Sequence, residues 1–162
     1  MRKKLKQIGN QERHTYQAEY GGVGFKRSYK NHFLPTLLLK NVRLNNDLVT
    51  DHLWVNYTKG FSKLGRLQDD DVIVFDGRVT SYVKGYFTEV HHREYGLERP
   101  TKIHLLNKRK TELMPDALKD KNALVGYVMK VNKKFYVTHN RPFDQWYVNR
   151  YQSWCDKHHV KN

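Results

Sequence analysis

Residues 71–87, DVIVFDGRVTSYVKGYF, decide the fold. Ile73, Phe75, Val79, Val83 and Phe87 fall on odd positions, whereas Arg78, Thr80, Tyr82, Lys84 and Tyr86 fall on even ones. Side chains along a strand alternate between its two faces, so a period of two predicts one long strand with an apolar face and a solvent face interleaving cations with aromatics. Val83 is thereby expected in the core with Val79. Gly77 and Gly85 would let so long a strand bend or bulge, as a small barrel requires.

Upstream, residues 36–44 (TLLLKNVRL) and 48–58 (LVTDHLWVNYT) read as two strands joined by Asn45-Asn46-Asp47, whose short polar side chains favour turns. They should pair antiparallel. In the second, Val49, Leu53, Val55 and Tyr57 share one face and Thr50, His52, Asn56 and Thr58 the other, with Trp54 on the polar side. Further upstream, the Tyr-rich runs 14–20 and 25–30 flank Gly21-Gly22-Val23-Gly24, which predicts a hairpin turning at the glycines. The cluster is no phosphate loop, because no Lys-Ser/Thr follows at the required spacing.

Downstream, residues 103–106 read as a short strand and 115–121 (PDALKDK) as a helical turn with proline near its start. Residues 123–131 (ALVGYVMKV) and 135–139 (FYVTH) then read as strands joined at Asn132-Lys133-Lys134. Last, Phe143, Trp146, Tyr147, Arg150, Tyr151, Trp154 and His158 recur at three- and four-residue spacing, the mark of a helix of about four turns.

A chain of 162 residues is one domain's worth, with 38% hydrophobic residues and 21 aromatics to build a core. Its 30 Lys+Arg against 16 Asp+Glu leave +14, which points to a polyanionic partner, nucleic acid first. Residues 1–45 carry +8, 46–76 carry −3 and 77–162 carry +9, so folding must assemble the basic footprint from two parts of the chain. The longest apolar run, residues 37–39, is too short to span or anchor in a bilayer, which argues against a membrane partner. One cysteine, Cys155, allows no internal disulfide, and MRKKLKQIGN has no apolar stretch for a signal peptide, so a cytoplasmic protein is expected.

Long strands, a bent central strand, a helical insert before the last strands and basic–aromatic interleaving resemble the OB-fold, a small five-stranded barrel, over residues 33–139. An SH3-like barrel fits the same pattern. The expected architecture is therefore mainly β, a β-rich α+β fold: a basic flexible arm over 1–10, an OB-like antiparallel barrel with an N-terminal hairpin over 11–139, and an aromatic helix over 140–162 packed on the barrel. The passages PTLLLKNVRL (35–44) and LVTDHLWVNYTKGFSKLGRLQDDDVIVFDGRVTSYVKGY (48–86) are also similar to small uncharacterised proteins of phages and mobile elements of Gram-positive bacteria. That resemblance implies a host-manipulating or nucleic-acid-handling role.

Rings that stack on bases while cations track phosphates make a sequence-tolerant single-strand binder. Arg78, Tyr82, Lys84 and Tyr86 form the first such cluster, set against a plain solvated face whose tyrosines pack on the next strand. Lys26, Arg27, Tyr29 and Lys30 form a second, and Lys108-Arg109-Lys110 a cationic run suited to phosphate contacts. His91-His92 and Cys155 with His158-His159 make poor zinc sites, for lack of a second thiol or a His-x3-His pair, so no metal and no cofactor is expected. A nuclease would need Asp69, Asp70, Asp71 and Asp76 to converge with His91, but three consecutive aspartates before a strand read as an exposed turn. Cys155 reads as a small buried hydrophobe rather than a nucleophile. The sequence thus predicts a non-enzymatic nucleic-acid-binding protein, single-stranded DNA or RNA before duplex, because no recognition helix is evident. The rival is an anti-defence inhibitor that binds a host nucleic-acid enzyme or its bound guide or template; a metal-dependent nuclease comes third.

Overall fold

The alternating stretch becomes strand β4 (Val72–Lys84) in a computed structural model, which describes residues 2–27, 32–84 and 92–161. Ile73, Phe75 and Val79 are buried on one face, and Asp76, Arg78 and Thr80 lie half-buried on the other. The expected face assignment therefore holds as far as Val79. Val83, expected in the core, is instead 48% exposed. The reason is the length of the neighbour: β1 (Arg13–Arg27) begins at Arg13, opposite Arg78, and the last turns of β4 pair with β5 (His92–Leu105). A two-stranded ribbon has little to bury a valine against.

With β2 (Phe33–Leu44) and β3 (Asp47–Asn56), these strands form a five-stranded antiparallel sheet in the order β3-β2-β1-β4-β5. The β2–β3 hairpin turns where the sequence places it. Asn45 and Asn46 take φ of 52° and 70°, the paired left-handed residues of a tight hairpin turn. Val49, Leu53, Val55 and Tyr57 are buried and Trp54 is exposed, as the alternation predicts. Strands β3 and β5 are the ends of this order, and among the described residues no ladder between them closes the sheet into the expected barrel.

Three further expectations fail: the hairpin at the glycines and the two strands read over 123–131 and 135–139. No hairpin turns at Gly21–Gly24, because β1 runs through all four residues. Gly21 instead makes room for a neighbour: a Cβ there would lie 2.5 Å from Cδ of Lys40 on β2. Residues 123–131 are helix α3 (Lys121–Val131), and 135–139 fall largely in α4 (Lys133–Thr138). A run buried on every side has no solvent face to set a period, and α3 buries all of residues 123–129. The C-terminal helix α5 (Gln145–His158) stands as read, started by Asp144, whose side chain accepts from the Trp146 N–H at 2.9 Å. It packs on α3, and its Tyr147 meets Phe33 of β2 ring to ring at 5.5 Å. Finally, the basic arm contains helix α1 (Lys3–Ile8), whose single leucine, Leu5, is fully buried.

The chain divides into two compact units. The first comprises residues 1–21, 38–55 and 68–108 and holds α1, most of the sheet and all of β4 and β5. The second comprises 22–37, 56–67 and 109–162, with the short helix α2 (Lys59–Ser62) and helices α3 to α5. Among the described residues, no helix is long and apolar enough to cross a membrane.

Tyr16 lies at the centre of the first unit, fully buried and stacked on Phe75 at 6.0 Å, and its hydroxyl has no hydrogen-bond partner among the described residues. Burial pushes its pKa up to about 12 and also raises those of Tyr127, Tyr136 and Tyr151. The unfolded chain then releases phenolic protons first, at about pH 10, so stability is full below that and falls as pH rises toward 12. Tyr16→Phe removes an unpaired buried hydroxyl and should raise stability by about 1 kcal/mol while flattening the alkaline loss. Thermal unfolding between neutral pH and pH 11 checks both, and a destabilised Tyr16→Phe would mean the hydroxyl is bonded.

Candidate nucleic-acid interface

Arg78, Thr80 and Tyr82 stand on one face of β4, and the ladder puts Arg13 of β1 and Glu98 of β5 on either side of Arg78. β5 bulges twice beside Asp76, where Arg99 and Lys102 take φ of 52° and 53°. Arg13 fastens that stretch: its Nη2 donates to the carbonyls of Asp76 (3.0 Å) and Arg99 (2.6 Å) and to Thr101 Oγ1 (2.7 Å). Asp76 accepts from the Thr15 hydroxyl and lies 3.8 Å from Lys102 Nζ. Arg78 keeps its Nε buried without a partner among the described residues.

Tyr82 is 44% exposed. Its hydroxyl accepts from Arg2 Nη1 at 3.1 Å, and the same nitrogen donates to the Tyr95 carbonyl at 2.9 Å. The Arg2 N–H donates to Glu94 Oε1 at 2.8 Å, which Tyr95 N–H also reaches at 3.0 Å. Burial alone would raise the Glu94 pKa, but these two N–H groups and the Arg2 charge outweigh it and hold the carboxyl below its ordinary range. A Cβ at Gly96 would lie 3.6 Å from the Tyr82 ring. Tyr82 is thus a partly packed ring, steadied at its hydroxyl and open to solvent over part of its surface.

The other expected contacts divide. Lys84 closes β4 opposite His92, while Tyr86, Tyr29, Lys30 and His91 lie outside the described residues. Lys26 and Arg27 are exposed at the end of β1, in the second unit, with the Arg27 guanidinium 5.9 Å from the Phe33 ring. Lys108 and Lys110 are exposed. Arg109 does not belong to a free cationic run: it is half-buried and donates to the carbonyls of Arg66 (3.0 Å) and Lys110 (3.4 Å).

The second unit carries a denser arrangement that the sequence reading missed. Arg150 lies 5.3 Å from the Trp146 ring, one turn earlier on α5, and Trp146 is 48% exposed. Lys133 stands 5.3 Å from the Phe143 ring, and Arg141 lies 5.7 Å from Phe25 and 5.5 Å from Tyr136. Phe135 on α4 is 55% exposed and stacks on His139 at 4.0 Å. The four-residue spacing of Trp146 and Arg150 was available in the sequence, since a helix brings i and i+4 together. The Lys133–Phe143 pair was not, because it needs α4 to be a helix.

Asp71 accepts from the Gln68 N–H at 2.8 Å, the local turn its sequence suggests. Among the described residues, no three His, Cys, Asp or Glu side chains gather as a metal ion would need. Cys155 is fully buried. No protein-family model matches the chain, and neither a curated protein nor a solved structure shows significant similarity to it.

Proposed function

We propose that the chain is a non-enzymatic nucleic-acid-binding protein that prefers single strands, with exposed rings stacking on bases and neighbouring cations contacting phosphates. The observation that carries this reading is the exposed Trp146 with Arg150 against it, on a chain of net charge +14. A half-exposed ring beside a guanidinium has one surface for a base and a charge for the phosphate that follows it. In the first unit, Tyr82 offers a second half-exposed ring with a guanidinium near it, that of Arg2 at its hydroxyl. An OB-like closure of the sheet belongs to this reading and draws support from one approach of its edges: a Cβ on Gly96 of β5 would lie 3.7 Å from Leu53 of β3.

The test is the affinity for a labelled single-stranded oligonucleotide across a salt series. Each neutralised phosphate contributes about −0.7 to the log–log slope, so about four to six contacts give a slope near −3 to −4. Trp146→Ala should weaken binding by about 1 to 3 kcal/mol with little change in slope, and Tyr82→Ala likewise if bases stack there. Arg150→Ala should instead lower the slope by about one phosphate's worth. An affinity that ignores salt, or equal affinity for the matching duplex, would sink the proposal.

A further inference from the structure

Helix α3 begins after Asp120, whose side chain makes no capping hydrogen bond. Asp116, the nearest other carboxylate, is spent on the preceding turn, where it accepts from the N–H groups of Leu118 (2.8 Å) and Lys119 (3.1 Å). Among the described residues, no side chain caps the first N–H groups of α3, at the positive end of the helix dipole. Beside them opens a cavity of about 470 Å³. Its far wall is one face of α5, where Arg150, Ser153, Trp154 and Lys157 recur at helical spacing.

The cavity's charge is one-sided. Lys119, Lys121, Arg150 and Lys157 line it, with Asp120 its one lining carboxylate and His158 at its edge. His158 Nδ1 donates to the Trp154 carbonyl, 2.9 Å away, and the imidazole stacks on the Trp154 ring at 4.6 Å. Trp154 is 7% exposed, and its indole N–H is buried with no hydrogen-bond partner among the described residues. Four like charges, Arg150 and Lys157 from α5, Lys121 from the start of α3 and Lys119 from the turn before it, repel one another unless an anion sits among them.

We propose that this cavity binds a phosphate dianion, either free phosphate or the terminal phosphate of a monoester. The guanidinium of Arg150 can grip two oxygens at once, the lysines act as point charges, and the Ser153 hydroxyl and the uncapped N–H groups of α3 supply neutral donors. A phosphodiester within a strand carries one charge and two bulky substituents, whereas a concave site with four cations matches two charges on an unencumbered end. The site does not depend on the reading of the chain as a nucleic-acid binder.

The experiment is calorimetric titration of the whole protein, at fixed ionic strength, with inorganic phosphate, a 5′-nucleoside monophosphate and dimethyl phosphate. Saturable binding of the first or second is expected, with dimethyl phosphate about tenfold weaker or more. Equal affinities for the first two identify free phosphate as the ligand chemistry; tighter binding of the nucleotide identifies the monoester. The double variant Lys121→Gln/Lys157→Gln should lose about tenfold or more in affinity, while Lys63→Gln/Lys102→Gln, which removes two exposed cations elsewhere, should not. Thermal unfolding of each variant separates lost binding from lost fold. Absence of saturable binding, equal affinity for dimethyl phosphate, or a cavity variant that binds like the control pair would overturn the proposal.

Discussion

Val79→Asp should abolish the cooperative unfolding transition of this protein near room temperature, while Val83→Asp, four residues along the same strand and on the same face, should leave it nearly intact. Val79 is 2% exposed and stands opposite Leu97 on β5, so a carboxylate there would be taken out of water with no cation to meet it. An unpaired charge at a buried site costs about 3 to 5 kcal/mol or forces protonation, against a total stability of about 5 to 15 kcal/mol for a domain. Val83 is half in solvent, and the residue across the ladder is Arg93, itself exposed with one nitrogen donating to Ser81 Oγ at 2.8 Å. An aspartate at 83 would face that guanidinium, and an exposed cross-strand pair contributes about 0.2 to 1 kcal/mol. Its effect on stability should therefore be near zero or slightly favourable. Chemical denaturation followed by circular dichroism distinguishes the two variants. If both unfold the protein, the ribbon formed by the ends of β4 and β5 is covered by something the fold does not reveal; if only Val83→Asp does, the faces of β4 are exchanged.

The same pair of valines shows how far the sequence could be read. Alternation assigns faces, and from Ile73 to Val79 it assigns them correctly. It carries no information about where neighbouring strands end, so it could not show that β1 starts opposite Arg78 and leaves Val83 uncovered. The misreading of residues 123–131 has a related cause. The first seven of these residues, ALVGYVM (123–129), are all buried, and a pattern that contrasts apolar with polar is silent where there is no polar side. Once that segment is a helix, α5 gains a partner, and the two strands expected there are absent from the sheet. In the candidate site, Tyr82 and Arg78 were legible because they share a strand. Arg2 was not, because its hold on Glu94 and Tyr82 joins residues about eighty to ninety apart along the chain. The cavity between α3 and α5 was hidden for the same reason: its cations come from 119, 121, 150 and 157, and only the pair on each element could be placed together beforehand.

Gly126→Ala should destabilise the protein by about 3 kcal/mol or more, at a position where helix propensity alone predicts the opposite sign. Replacing glycine by alanine inside an open helix gains about 1 kcal/mol, because the unfolded chain loses freedom and the helix loses none. Here a Cβ would lie 1.9 Å from the carbonyl oxygen of Tyr147, 2.6 Å from its carbonyl carbon and 3.0 Å from Cβ of Tyr151. The first two are backbone atoms of α5, which cannot swing aside as a side chain would. Either α3 and α5 separate, uncovering residues that α3 now buries, or the clash persists; overpacking of this kind costs about 1 to 3 kcal/mol and more when backbone must move. For a chain of this size that lowers the melting temperature by about 6 to 12 °C. Gly96→Ala is the control, since its Cβ would meet the Tyr82 ring at 3.6 Å and Leu53 at 3.7 Å, ordinary contact distances. It should change stability by less than about 1 kcal/mol. Separation of the two helices would also displace Arg150 and Lys157 from the start of α3, so Gly126→Ala should lose the phosphate affinity proposed for the cavity even where the variant remains folded. A Gly126→Ala protein that melts higher than the parent would mean that the two helices do not approach this closely, and the cavity between them would go with that contact.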